Sequence, residues 1–481
     1  MLPEMKKKTN IFLIVAVLLF FSLVSCERGF DIINKDPNGV TDVPSDFLLP
    51  GAIMSLSNAD NSFMESFAYA SNWVQHISCG FWTDPERYNF EKSRSFLWDN
   101  LYTGPLNDLK VMNRKAIEEG NRSLQAVSLV LYSYGFSLLT DCFGPLPYTE
   151  ALSAEEGLNK PGYDSEELVY LALLDSLVIA NNIFKEVTRI SISPGYDVLF
   201  AADLSKWQKF TNGLRLRIMI RISEKLDMRD RLRSLVTDPE SPLPSSNADN
   251  ALFSYSAAST RTWHPLYDVL SAEASDGGYR ISKTLADQMI STADPRLAVY
   301  ALKNATDAYA GLPTGAGSGS GQIDNYSRIN PRFGQKDRNG VFMTFSEVNF
   351  LLAEAAARKL IDGEAQTWYD DAILSNFQEL GLVQAEFDAF IQSPAGRYTN
   401  VDRIALQKWV ALFGRGLEAW TEYRRTGIPA LQPAAYALEL SVPSRFLYPL
   451  SEEQTNKENL QEASQLLSKG DALTSPLWWM K

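Results

Sequence analysis

Apolar residues recur along most of this chain at the three- and four-residue spacing of amphipathic helices. Leu124, Val127, Leu131, Tyr134 and Leu138 put an apolar stripe on a helix over 124–139. Trp207, Phe210, Leu214, Ile218 and Ile222 do the same over 203–227, and Leu406, Trp409, Val410, Phe413, Leu417 and Trp420 over 402–425. In the last of these, Gly414 and Gly416 fall mid-helix, where each costs about 1 kcal/mol relative to alanine; close approach of a neighbouring helix is the expected reason. Further helices are predicted at 47–57, at 64–78, at 95–118 with an interruption near Gly104-Pro105, at 344–360 and at 364–380. Another runs from Ser165 to about Phe184, with Glu166 and Glu167 in its first turn, where the helix dipole favours acids. Helix pairs of this length stack into solenoid-like layers of the tetratricopeptide type, although no fixed repeat period is visible.

The pattern changes between 237 and 339. Helical stretches there are short, near 263–271, 282–291 and 295–303, and 304–340 contains seven glycines. A long Gly/Ser loop inside a helical protein is a binding or lid element, or a disordered surface loop. Two other segments break the helices: Cys79-Gly80-Phe81-Trp82-Thr83-Asp84-Pro85-Glu86-Arg87-Tyr88, and a stiff turn at Asp141-Cys142-Phe143-Gly144-Pro145-Leu146-Pro147-Tyr148. The C-terminal part is loop-rich and closes on Trp478-Trp479, read as a plug against the body. The expected fold class is mainly α, with tetratricopeptide-like helix pairs and a loop-rich ligand-binding lobe. Within one domain over 45–481, the helical scaffold spans about 45–236 and 341–430, the lobe about 237–340 and a closing segment 431–481.

The N-terminal 44 residues read differently. Lys6, Lys7 and Lys8 precede an apolar run of roughly 14 residues, too short for a hydrocarbon core that needs about 20. Leu23-Val24-Ser25-Cys26 ends it. A basic region, a short apolar region and small residues before one cysteine form a secretory signal of the lipoprotein kind over 1–25. Cys26 is then the lipid attachment site and 26–44, rich in turn residues, a tether. A plain cleaved signal and a simple membrane anchor are the alternatives.

Composition narrows the chemistry. Net charge is −13, and −15 once the first 25 residues are removed, which argues against nucleic acid as a partner. With Cys26 lipidated, Cys79 and Cys142 remain, either bridged or as two buried thiols. The chain has 2 histidines, His76 and His264, so a triad or a histidine-rich zinc site would have to use one of them. No His-Glu-x-x-His and no phosphate-cradling loop occurs. Gly317-Ser318-Gly319-Ser320-Gly321 has glycine where a nucleophile elbow has serine. Arg215, Arg217 and Arg221 lie off the apolar face of their helix, for pairing with acids on neighbouring helices or for an anion. No cofactor is expected; a bound metal ion is left open.

What is present is aromatic residues in loops. Phe81, Trp82, Tyr88, Trp263, Tyr279, Tyr309 and Tyr326 lie in or beside Gly/Pro-rich segments, and Arg87 stands among the first of them. A flat ring stacks on the C–H face of a sugar while nearby polar groups bond its hydroxyls. These eight are the candidate ligand-binding residues, with core packing the alternative for each ring. Trp73, Trp98, Trp207, Trp409 and Trp420 are assigned to the core.

Several stretches, in this order, resemble the SusD/RagB-type nutrient-binding outer-membrane lipoproteins of Bacteroidetes. They are the lipobox ending in Cys26, Asn34-Lys35-Asp36-Pro37-Asn38, Phe47-Leu48-Leu49-Pro50-Gly51-Ala52-Ile53, Phe143-Gly144-Pro145-Leu146-Pro147-Tyr148 and Trp207-Gln208-Lys209-Phe210-Thr211-Asn212-Gly213-Leu214-Arg215-Leu216-Arg217. Asp294-Pro295-Arg296-Leu297, Phe345-Ser346-Glu347-Val348-Asn349-Phe350-Leu351-Leu352-Ala353-Glu354-Ala355, Gln407-Lys408-Trp409-Val410-Ala411-Leu412-Phe413 and Arg445-Phe446-Leu447-Tyr448-Pro449 follow. Each is weak alone, and they mark the scaffold rather than the ligand. The resemblance implies a non-enzymatic binding protein, anchored to the outer membrane through lipid on Cys26 and facing outward. It would act as the lid of a SusC-like TonB-dependent transporter, capture an oligosaccharide or other glycan, and contact it through variable loops, here nearest to 79–90 and 262–330. A peptide cargo and a surface-tethered hydrolase are the competing readings.

Overall fold

Short connections and explicit caps set the helix pairs of this protein. The computed structural model describes residues 44–274, 277–318 and 322–481, and the signal, Cys26 and the tether lie outside the described residues. The α-helices of nine residues or more are numbered in chain order. Helix α1 (Leu49–Asp60) packs beside α2 (Asn107–Glu118). After three connecting residues α3 (Arg122–Phe143) begins, where the Asn121 side chain accepts the Leu124 N–H at 3.1 Å. It ends at Gly144, at φ 85°, ahead of the Pro145-Leu146-Pro147 turn. Helix α4 (Glu166–Glu186) starts on a Ser165 cap and returns along α3, and α5 (Leu204–Ile222) starts on an Asp203 cap and packs on α4. Helix α6 (Arg229–Thr237) follows.

After the lobe, which contains α7 (Lys283–Ser291), come α8 (Phe345–Ala357), α9 (Ala365–Leu380) and α10 (Gln384–Gln392), then α11 (Val401–Ala411) and α12 (Gly416–Thr426). Helix α13 (Lys457–Gln465) lies near the C-terminus. Successive neighbours α2–α3, α3–α4, α4–α5 and α8–α9 form the layers that the periodicity predicts. Both α3 and α4 are long and apolar enough to cross a bilayer; here they pack within the protein, α3 almost wholly buried.

Two helical readings change. The stripe over 402–425 belongs to two helices, because Gly414 takes φ 82° and reverses the chain between α11 and α12. Gly416 answers to packing: a Cβ there would lie 1.8 Å from the Ser66 carbonyl oxygen. That carbonyl belongs to Phe63–Ser71, a π-helical turn against which α12 rests. The helix expected over 64–78 stops short, and its last residues form a strand, β1 (Ile77–Cys79). Strand β1 pairs antiparallel with β3 (Tyr279–Ile281), and β2 (Ala251–Ser254) with β4 (Asn339–Met343). Both pairings tie the lobe to the helical body.

The five tryptophans assigned to the core are there, Trp73 and Trp420 meeting edge to face at 4.9 Å. Trp479 is fully buried beneath Arg424, and the Trp478 N–H donates to Glu166 at 2.9 Å, so the C-terminus does plug the body. Cys79 and Cys142 are unbridged and buried. Of the three arginines on α5, Arg217 bonds Glu347 at 2.6 Å and Arg221 bonds Glu418 at 2.6 Å, whereas Arg215 donates to the Asn212 side-chain oxygen, Oδ1, at 2.8 Å.

Candidate functional site

Strand β1 delivers the chain to a loop over 80–90 that the core holds from below. The Trp73 indole donates to the Pro85 carbonyl at 2.8 Å, and Gly80 N–H donates to the Gly278 carbonyl at 2.9 Å. Two other loops are stitched to this one. Ser318 N–H donates to the Gly80 carbonyl at 2.9 Å, and Arg87 Nε donates to the Gly315 carbonyl at 2.7 Å. From the C-terminal side Leu438 N–H reaches the Arg87 carbonyl at 2.8 Å, Ala434 N–H reaches the Tyr88 hydroxyl at 3.1 Å, and Ala435 N–H reaches the Thr314 carbonyl at 2.9 Å. Gly315 makes the last approach possible: at φ 78°, a Cβ there would lie 2.2 Å from the Ala435 carbonyl oxygen.

The surface formed by loops 80–90, 311–318 and 431–440 carries exposed rings. Phe81 is half exposed and rests on Gly278, and Tyr436 is 77% exposed. The Arg87 guanidinium covers one face of Tyr436, at 5.2 Å from its centroid. Trp82 is half buried, packed on Phe63 at 6.3 Å with Arg94 above it at 5.8 Å. Beneath the surface Glu86 is fully buried, and burial pushes its carboxyl up to about 7, against a hydrogen bond from Ser78 at 2.7 Å.

The structure thus groups Phe81, Trp82 and Arg87. It does not give Tyr88 or Tyr279 a free face. Tyr88 is buried as a strut between two loops, and Tyr279 is buried edge-on to Phe67 at 5.0 Å; both belong to the core. Alternation in a loop cannot show this, because the burial depends on partners such as Ala434 and Phe67 far away in sequence. Trp263 lies in a different cluster, edge to face with Tyr267 at 4.6 Å and under the Lys336 ammonium at 4.4 Å. Among the described residues no ring of that cluster meets Phe81, Trp82 or Tyr436. Tyr309 and Tyr326 are half buried on the 304–326 segment, without ring partners among the described residues. Tyr436 was not anticipated, although Gly427, Pro429, Pro433 and Pro443 around it repeat the Gly/Pro signature that marks the other loops.

Burial drives His76 down to about 3 and His264 down to about 2, so both are neutral imidazoles inside the protein. Among the described residues no group of three or more His, Cys, Asp or Glu is placed to hold a metal.

A family model described as "Starch-binding associating with outer membrane", of the SusD-like kind, matches residues 37–449. The chain belongs to the SusD-like family. Solved structures share the fold. A chitin-binding protein matches with TM-score 0.79 at 24% identity, over 91% of this chain and 100% of its own. A chitin-binding SusD homologue from Flavobacterium johnsoniae matches with TM-score 0.78 at 22% identity, over 90% and 98%. A SusD homologue from Bacteroides fragilis matches with TM-score 0.77 at 21% identity, over 92% and 100%. No curated protein sequence matches.

Proposed function

We propose that this protein is a cell-surface lipoprotein that binds a glycan without catalysis and acts as capture subunit and lid of a SusC-like TonB-dependent outer-membrane transporter. The observation that carries the binding part is the three-loop surface, where the exposed Tyr436 ring and Phe81 offer apolar faces and Arg87 a fixed donor. Rings stack on the C–H faces of sugars, and a guanidinium bonds their hydroxyls. Membership of the SusD-like family, whose model is described as starch-binding at the outer membrane, supports the compartment and the ligand class. The chitin-binding names of two structural neighbours make chitin fragments a second glycan to test. Buried neutral histidines count against a histidine-based hydrolase.

Isothermal titration against starch and chitin oligosaccharides and a peptide digest tests this. The expected result is saturable binding to a glycan with no product released. Binding to peptides alone would keep the lid but change the cargo, and release of sugar products would make the protein an enzyme.

A further inference from the structure

Beside β4, where it passes α8, α9 and α11, lies a cleft of about 550 Å³. That is the size of a small-molecule site. None of its lining residues belongs to the loops 80–90, 311–318 or 431–440. Arg332 and Gln378 stand exposed at its mouth, and Tyr300, Phe333 and Phe413 are buried at its floor.

Not every cation of the cleft is ion-paired within the protein. Arg415 is met by Glu347 at 2.7 Å and Lys408 by Glu422 at 3.2 Å. Arg332 and Arg338 form no ion pair among the described residues. Arg332 donates to the Leu380 carbonyl at 3.0 Å, and Arg338 to the Phe333 carbonyl at 3.1 Å while lying over the Phe333 ring at 5.0 Å. Burial pulls the Arg338 guanidinium down to about 10, and the like charge of Arg332 adds to this. Asp337 is exposed at the rim and forms no ion pair among the described residues. Glu379, the other acid on the wall, receives a hydrogen bond from Asn250 at 3.1 Å, and burial pushes it up to about 7. Three further polar atoms of the lining, Asn247 Oδ1, Lys408 Nζ and Arg415 Nε, are buried without a hydrogen-bond partner. A guanidinium withdrawn from water without a counter-charge is costly, and a planar fork of donors fits a carboxylate or phosphate.

We propose that this cleft is a second ligand site, separate from the three-loop surface, that binds a small acidic sugar through its carboxylate or phosphate, with Arg332 and Arg338 as the anion-binding residues. Asn247 Oδ1, which has no hydrogen-bond partner, accepts from a sugar hydroxyl. This site goes beyond the glycan surface and does not depend on it.

Titration of the full chain with glucuronate, glucose 6-phosphate and glucose tests the proposal, the first two telling carboxylate from phosphate. At least one acid is expected to bind saturably and glucose at least tenfold more weakly. Arg332→Gln, at an exposed position, should weaken acid binding tenfold or more with an unchanged melt. Arg338→Lys keeps the charge, loses the fork and should weaken it as well. Tyr436→Ala should leave acid binding intact, which separates this site from the surface proposed for glycans. Saturable binding by neither acid, glucose bound as tightly as the acids, or unchanged affinity in Arg332→Gln would each overturn the proposal.

Discussion

Arg87 covers one face of Tyr436, its guanidinium carbon 5.2 Å from the ring centroid, although the two residues are separated by most of the chain. The same arginine donates to Gly315, so it fixes the exposed ring against a third loop. On this geometry Tyr436→Ala should weaken glycan binding by about 1–3 kcal/mol through lost stacking area. Arg87→Ala should do the same, by freeing the ring and removing a donor. Tyr88→Phe, deleting a buried strut, should lower the melting temperature and leave affinity nearly unchanged. Titration calorimetry of the three variants decides it; equal affinities throughout would remove this surface from recognition.

Glu86 gives the loop a pH dependence. Its carboxyl titrates near 7 when folded against an ordinary value of 4.5, because burial opposes the charge. The folded state therefore holds the proton more tightly than the unfolded chain. The contribution to stability is full below about pH 4.5 and is lost as pH rises through about 7, a change on the order of 3 kcal/mol. Glu86→Gln should flatten the melting temperature between those limits, read by thermal melts at pH 5 and pH 8. A slope equal to wild type would show that Glu86 is not the group responsible.

Two glycines in helices should respond oppositely to alanine. At Gly416 the added methyl meets the Ser66 carbonyl at 1.8 Å, and the α12 contact must open, costing about 1–3 kcal/mol. At Gly51, exposed on α1 with nothing within 4 Å of a Cβ, alanine should stabilise by up to about 1 kcal/mol. Urea unfolding of both variants measures this, and a stabilised Gly416→Ala would contradict the close packing of α12.

Cys26→Ala should separate binding from uptake. Cys26 lies outside residues 45–481, so affinity in solution is expected to equal wild type. On the proposed lipid anchor and lid role, growth on the glycan should suffer, because the variant would no longer be tethered. Unimpaired growth would argue that the tether is dispensable.

The helices were readable because their apolar stripes report burial directly: Trp207, Trp409 and Trp420 sit where the spacing puts them. The break at Gly414 was not, since the stripe continues in phase across the turn and both halves face the core. Strands β1 and β3 are three residues each, too short for alternation to show, and they exist because they pair across 200 residues of chain. In the site, Phe81, Trp82 and Arg87 were legible as a loop cluster. Tyr88 and Tyr279 share the same local signature and differ only in what covers them. Tyr436 sits in a segment that reads as a closing strap, and its role comes from the contacts of Leu438 and Ala434 with residues 87 and 88.

The stitching of 80–90, 311–318 and 431–440 also sets an order of events. Hydrogen bonds between residues more than 200 positions apart close late in folding, after local helix pairs have formed. A chain still emerging, with α12 complete but 431–440 not yet available, has its helix pairs and lacks the three-loop surface. Ligand competence is therefore expected to arrive with the last tenth of the molecule, which also completes the core with Phe446, Tyr448 and Trp479.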